Sequence, residues 1–73
     1  MKNDGYNGWA NYETWNVALW IGNEEHLYDL AKKAGTYEKF LTCVGDNGTT
    51  GDGVNWSDSK IDVNEINQLF NEL

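Results

Sequence analysis

Tyr12 to Gly22 read YETWNVALWIG, and the interpretation of this stretch decides the fold. Two patterns overlap in it. Trp15, Val17, Leu19 and Ile21 alternate as a strand would; in a helix, Tyr12, Trp15, Ala18 and Leu19 share one face and Val17, Trp20 and Ile21 the opposite one. A helix apolar on two faces is a central, buried one. The ends of the stretch favour helix. Asn11 stands where an N-cap side chain accepts an orphan backbone amide, and Glu13 suits the positive end of the helix dipole. Gly22-Asn23 is a stop signal.

Working outward, Asn23 is placed to cap a second helix opened by Glu24 and Glu25, with Leu27, Leu30, Ala31 and Ala34 at helical spacing. Lys32 and Lys33 sit at its negative end and Gly35 offers a left-handed stop. Thr36 caps a short third helix in which Tyr37, Phe40, Leu41 and Val44 recur at i, i+3, i+4, i+7, and Gly45 ends it. Residues 45–60 (GDNGTTGDGVNWSDSK) form a long glycine-rich loop pinned by Val54 and Trp56, with Asp52 and Asp58 left in water. Asp62 and Glu65 make a D-x-x-E variant of the capping box for a last helix, onto whose Ile66 Ile61 staples. Its stripe is Val63, Ile66, Leu69, Phe70 and Leu73.

The predicted helices therefore span 12–22, 24–34, 37–44 and 63–72, and the fold class is all-α. Residues 1–73 read as one small bundle of about four short helices with one long loop, and 1–10 (MKNDGYNGWA) as a loose lead-in. Trp15, Leu19, Leu30, Phe40, Leu41, Ile66 and Phe70 are the expected core, with Trp20 beside them and Cys43 as a small core residue.

Size and charge bound the function. A chain of 73 residues and 8.3 kDa buries only about 60% of its unfolded surface, enough for one small core but hardly for a deep catalytic cleft as well. Net charge is −7, with twelve acids against five lysines and no arginine, which argues against binding a nucleic-acid backbone. The lone Cys43 has no internal disulfide partner, and one Cys with one His makes no zinc site. Val17 to Ile21, the longest apolar run, is too short to span a bilayer, and no signal peptide opens the sequence. The expectation is a soluble, cytoplasmic acidic domain that needs no cofactor and no metal and is not an enzyme.

Asp46 to Asp52 (DNGTTGD) resembles a calcium loop, but position 3 is Gly48 and position 12 is Ser57 where a bidentate Glu is required, so it reads as a turn. His26 has no nucleophile or carboxylate partner at a telling spacing and reads as a surface or partly packed residue. The acidity is uneven, −2 over residues 1–45 and −5 over 46–73. A carboxylate surface imitating DNA phosphates is one reading of that asymmetry; ordinary solubility is the other. Four Trp, four Tyr and two Phe are many for this length, and Trp and Tyr are enriched in interface hot spots. Tyr6 and Trp9, ahead of the first helix, are the aromatics expected to be partly exposed. With Asp52, Asp58 and Glu65 from the acidic half they form the candidate interface.

The stretch NYETWNVALWIGNEEHLYDLA (Asn11 to Ala31) together with TGDGVNWSDSKIDVNEINQLF (Thr50 to Phe70) resembles a family of short uncharacterised proteins from bacteriophages and their bacterial hosts. Its members share an N-Y-E-T-W-x-V-A-L-W-I-x-N-[DE]-E core and a D-G-V-x-W-x-D-x-x-[IL] loop leading into a final helix. The resemblance implies a phage or mobile-element origin and carries no activity. The family often has Gly where this chain has His26, which argues against an essential His26. The functional expectation is a small acidic accessory protein that binds a host or phage protein through an aromatic-containing surface. The alternative is a DNA-mimicking inhibitor of a host nucleic-acid enzyme, and self-association is a third option.

Overall fold

The computed structural model describes residues 8–45 and 48–73, and the expectation for Tyr6 lies outside them. Four helices follow in order: α1 (Tyr12–Asn23), α2 (Glu25–Ala34), α3 (Tyr37–Val44) and α4 (Val63–Asn71). The fold is all-α. Each helix packs on two others, α1 on α2, α2 on α3, α3 on α4 and α4 back on α1, so the bundle closes as a ring.

Local signals set most boundaries. Asn11 Oδ1 accepts the Thr14 amide at 2.9 Å and caps α1, Thr36 caps α3 through the Lys39 amide, and Asp62 caps α4 through the Glu65 amide. Gly35 ends α2 at φ 81°, a left-handed conformation that suits glycine. The cap of α2 differs from expectation. Asn23 is the last residue of α1, and Glu24 does both jobs: its amide closes α1 on the Trp20 carbonyl and its carboxylate accepts the His26 amide at 3.1 Å.

The core is built around Phe40. Its ring stacks on Tyr37 at 5.7 Å and meets Trp56 and Phe70 edge-on at 5.5 and 5.7 Å. Val17, Ile21, Ala31, Ile61 and Ile66 complete it, and Val54 and Trp56 reach it from the loop. Leu30, Leu41 and Trp20 pack against its edge, half-buried.

Core expectations are corrected: Leu19 and Cys43 are exposed, and Trp15, like Leu30, Leu41 and Trp20, is only half-buried. The buried stripe of α1 is Thr14, Val17, Ala18 and Ile21, which is i, i+3, i+4, i+7 with a polar residue at its head. Choosing that stripe turns Tyr12, Trp15 and Leu19 to the outer side. On α3 the inward positions are Tyr37 and Phe40, flanked by Leu41 and Val44, and Cys43 falls off that face.

The long loop is anchored as the sequence suggests. Val54 and Trp56 are both buried, and Thr49 pairs with Asn55 in an isolated antiparallel bridge. Asp52 stays exposed, while Asp58 is half-buried with its carboxylate on the Lys60 amide at 2.8 Å. Trp56 is 5% exposed, and its carbonyl accepts the buried Tyr37 hydroxyl. Trp56→Ala should therefore cost about 3–5 kcal/mol, from lost transfer energy plus the cavity. A thermal melt of the variant checks this, and an unchanged midpoint would refute the anchor role.

Candidate functional site

Two buried polar residues on α1, Thr14 and Asn16, hold the rest of the chain to it, and both are fully buried. Asn16 Nδ2 donates to Asp52 Oδ2 at 2.8 Å, and Asn16 Oδ1 accepts the Thr50 hydroxyl at 2.6 Å. Thr50 Oγ1 in turn accepts the Asp52 and Val54 amides, both at 3.2 Å. The Trp20 indole N–H donates to the same Asp52 oxygen at 3.1 Å. Gly51 lies against that ring so closely that a Cβ would stand 2.3 Å from Trp20 Cη2. Asp52 is therefore a clip between the loop and α1 rather than a free surface carboxylate.

Thr14 does the same for α4. Its hydroxyl donates to Asn11 Oδ1 and accepts the Asp62 amide, while Asn11 Nδ2 donates to the Lys60 carbonyl. The expected capping box is thereby only half formed. Asp62 caps Glu65, but its own amide is already taken by Thr14, so the Glu65 carboxylate turns outward and accepts the Ala10 amide at 2.8 Å. That bond fixes the chain leading into α1 against α4 and brings Trp9 with it.

The result is a shallow apolar groove between α1 and α4. One hollow, of about 260 Å³, is lined by Trp9, Trp15, Ala18, Leu19 and Leu69. A second, of about 280 Å³, lies on the other side of Trp9 and Leu69 and is bounded by Glu65, Gln68 and Glu72. Tyr12 extends the outer stripe of α1, its ring 5.7 Å from that of Trp15. Tyr12 and Leu19 are 38% and 37% exposed, the large hydrophobics most open to solvent among the described residues.

Of the sequence-predicted interface residues, the groove brings together Trp9 and Glu65. Asp52 and Asp58 are not among its lining residues, and Tyr6 lies outside the described residues. Trp15, Leu19 and Leu69 were missed as surface residues. For Trp15 and Leu19 the signal was the two-faced pattern of α1, which a polar-headed stripe resolves.

Elsewhere, an open hollow of about 450 Å³ is lined by Trp20, Leu27, Val44 and Trp56, with Glu24 and His26 at its rim. Loop residues 48–51 make one wall. The Trp20 N–H is already spent on Asp52, and the Glu24 carboxylate on the α2 cap. His26 is fully in solvent, its Nδ1 3.7 Å from Glu24. Among the described residues no three His, Cys, Asp or Glu side chains stand together as metal ligands, and no helix is long and apolar enough to cross a membrane.

Comparison with known proteins matches a family model to this chain. A model described as a family of unknown function (DUF7249) covers residues 2–73. The chain belongs to this family. No curated protein and no solved structure matches it.

The clip makes two stability predictions. Hydrogen bonds from Asn16 first and Trp20 second hold the Asp52 carboxyl below its usual range. A lowered folded-state value means the stabilisation is full above the ordinary Asp value of about 3.9 and is lost as pH falls through the folded one. Asp52→Asn should lower the melting midpoint at neutral pH, and its gap to the native chain should close as the pH drops below ~4. A gap that stays constant through that acid window would show that the charge contributes nothing. Thr14→Val, which strands the part-buried Asp62 amide, should cost about 1–3 kcal/mol in a denaturant melt; a neutral result would remove Thr14 from the set of residues joining α1 to α4.

Proposed function

We propose that this protein is a phage-type accessory protein, working in the host cytoplasm, that binds another protein through the α1–α4 groove. The observation that carries the reading is the outward stripe of Tyr12, Trp15 and Leu19 beside Trp9 and Leu69. Folding accounts for most of the motif that carries the phage-protein resemblance. Asn11 and Thr14 cap and tie; Val17, Ala18 and Ile21 are core; Trp20 and Asp52 clip the loop; Val54, Trp56 and Ile61 anchor it. Tyr12, Trp15 and Leu19 form the outer row of α1. They stand outside the buried stripe, and aromatic and aliphatic groups of this kind anchor protein interfaces.

The DNA-mimic alternative draws its support from the net charge of −7. It asks for carboxylates fanned over one face. In the acidic half, Asp52, Asp58, Asp62 and Glu65 instead each accept hydrogen bonds from within the chain, at separate places in the loop and on α4. The apolar groove is the better-supported surface.

The two readings separate under salt. An affinity column of the native chain should retain its partner at ~1 M salt, where the screening length is about 3 Å and a phosphate-mimicking contact lets go. Asp58→Asn should retain it as well, and Leu19→Ser should lose it without a lower melting midpoint. Retention by Leu19→Ser, or release of the native chain's partner by salt alone, would overturn the proposal.

A further inference from the structure

Resting on that reading, we infer that the groove's occupant is a basic amphipathic helix, with apolar residues seated on Trp9 and Leu69 and two Lys or Arg side chains paired with Glu65 and Glu72. Glu65 and Gln68 on α4 and Glu72, its C-cap, recur at i, i+3, i+7 and bound the groove on one side. Seven residues of helix rise about 10 Å, so the backbone positions of the two glutamates stand about one such interval apart along the rim. Among the described residues no lysine lines either hollow, and neither Glu65 nor Glu72 forms an ion pair. Lys60, the cation of α4's lead-in, stands 4.0 Å from Glu13 instead.

The groove thus offers an apolar floor and a negative rim: Glu65 places one oxygen on the Ala10 amide, and among the described residues no cation pairs with either glutamate. A partner helix carrying apolar residues at i, i+3, i+7 and cations at i and i+7 on the adjoining row matches both features at once. A second copy of this chain does not. In an isologous contact this acidic-rimmed patch, which holds no lysine among its described residues, would meet its own copy, between two molecules of net charge −7 each. Nucleic acid meets the same repulsion.

The test uses the full chain and three synthetic helical peptides of about 15 residues, ~22 Å long. All three carry leucines on one face; the adjoining i, i+7 positions are Lys in the first, Gln in the second and Glu in the third. Backbone amide NMR should show saturable shifts at residues 9, 19, 69 and 72 with the Lys peptide and none with the Glu peptide. Glu72→Gln, which keeps the side chain's shape, should weaken the Lys peptide by about two- to fivefold, the range of an exposed ion pair. Leu19→Ser should weaken it at least as much.

Equal binding of the Gln and Lys peptides at the groove would overturn the basic partner while leaving the groove as the binding surface. Shifts of the same amides on concentrating the protein alone would replace the partner helix with a second copy. Shifts only outside the groove, or none with any peptide, would overturn both this inference and the reading on which it rests.

Discussion

The side chain of Asn16 is the pivot of the molecule. Fully buried on α1, it donates to Asp52 and accepts from Thr50. Thr50 then spends its hydroxyl fully, donating once and accepting the Asp52 and Val54 amides, which is all a hydroxyl can do. That turn aims Val54 and Trp56 at the core. The Trp56 carbonyl receives the Tyr37 hydroxyl, whose burial raises its pKa and keeps it a donor, and the Tyr37 amide donates to Asn67 on α4 at 2.8 Å. One line of polar contacts therefore runs from α1 through the loop and α3 to α4, and among the described residues no buried side-chain polar atom is left without a partner. A loop rich in glycine has little local preference to hold it, so satisfied buried polar groups supply what secondary structure does not.

What could be read from the sequence follows from how far each interaction reaches. Asn11, Thr36, Asp62 and Gly35 end helices through contacts within a few residues, so the helix boundaries were legible to within about one residue. The Val54 and Trp56 anchor was legible too, because two large apolar side chains at i, i+2 in a polar loop have few other destinations. Thr14 and Asn16 were not legible. Their partners lie 34 to 48 residues away, and a polar residue on a helix gives no local sign that it will be buried. The misplacement of Trp15 and Leu19 follows directly: apolar residues on both faces of α1 read as a helix buried all round, whereas the inward stripe is the one headed by Thr14. The incomplete capping box has the same origin, since Glu65 was freed by a long-range bond from Asp62 to Thr14.

These long-range bonds also decide which surface is suited to binding. The two walls of the groove, α1 and α4, are joined by the Asn11–Lys60 and Thr14–Asp62 bonds, and the Glu65–Ala10 bond sets Trp9 between them. A partner entering there meets side chains whose backbone is already fixed, so little ordering cost offsets the contact energy. The larger hollow beside Trp20 is built differently. One of its walls is the loop, held there by the buried Asn16–Thr50 bond and, at its edge, by the exposed Asp52 carboxylate on Asn16 and Trp20. The Trp20 N–H and the Glu24 carboxylate that line this hollow are both taken up within the chain, on Asp52 and on the His26 amide. Volume favours the loop hollow, whereas the open apolar side chains of Leu19 and Tyr12 beside Trp9 and Leu69 favour the groove.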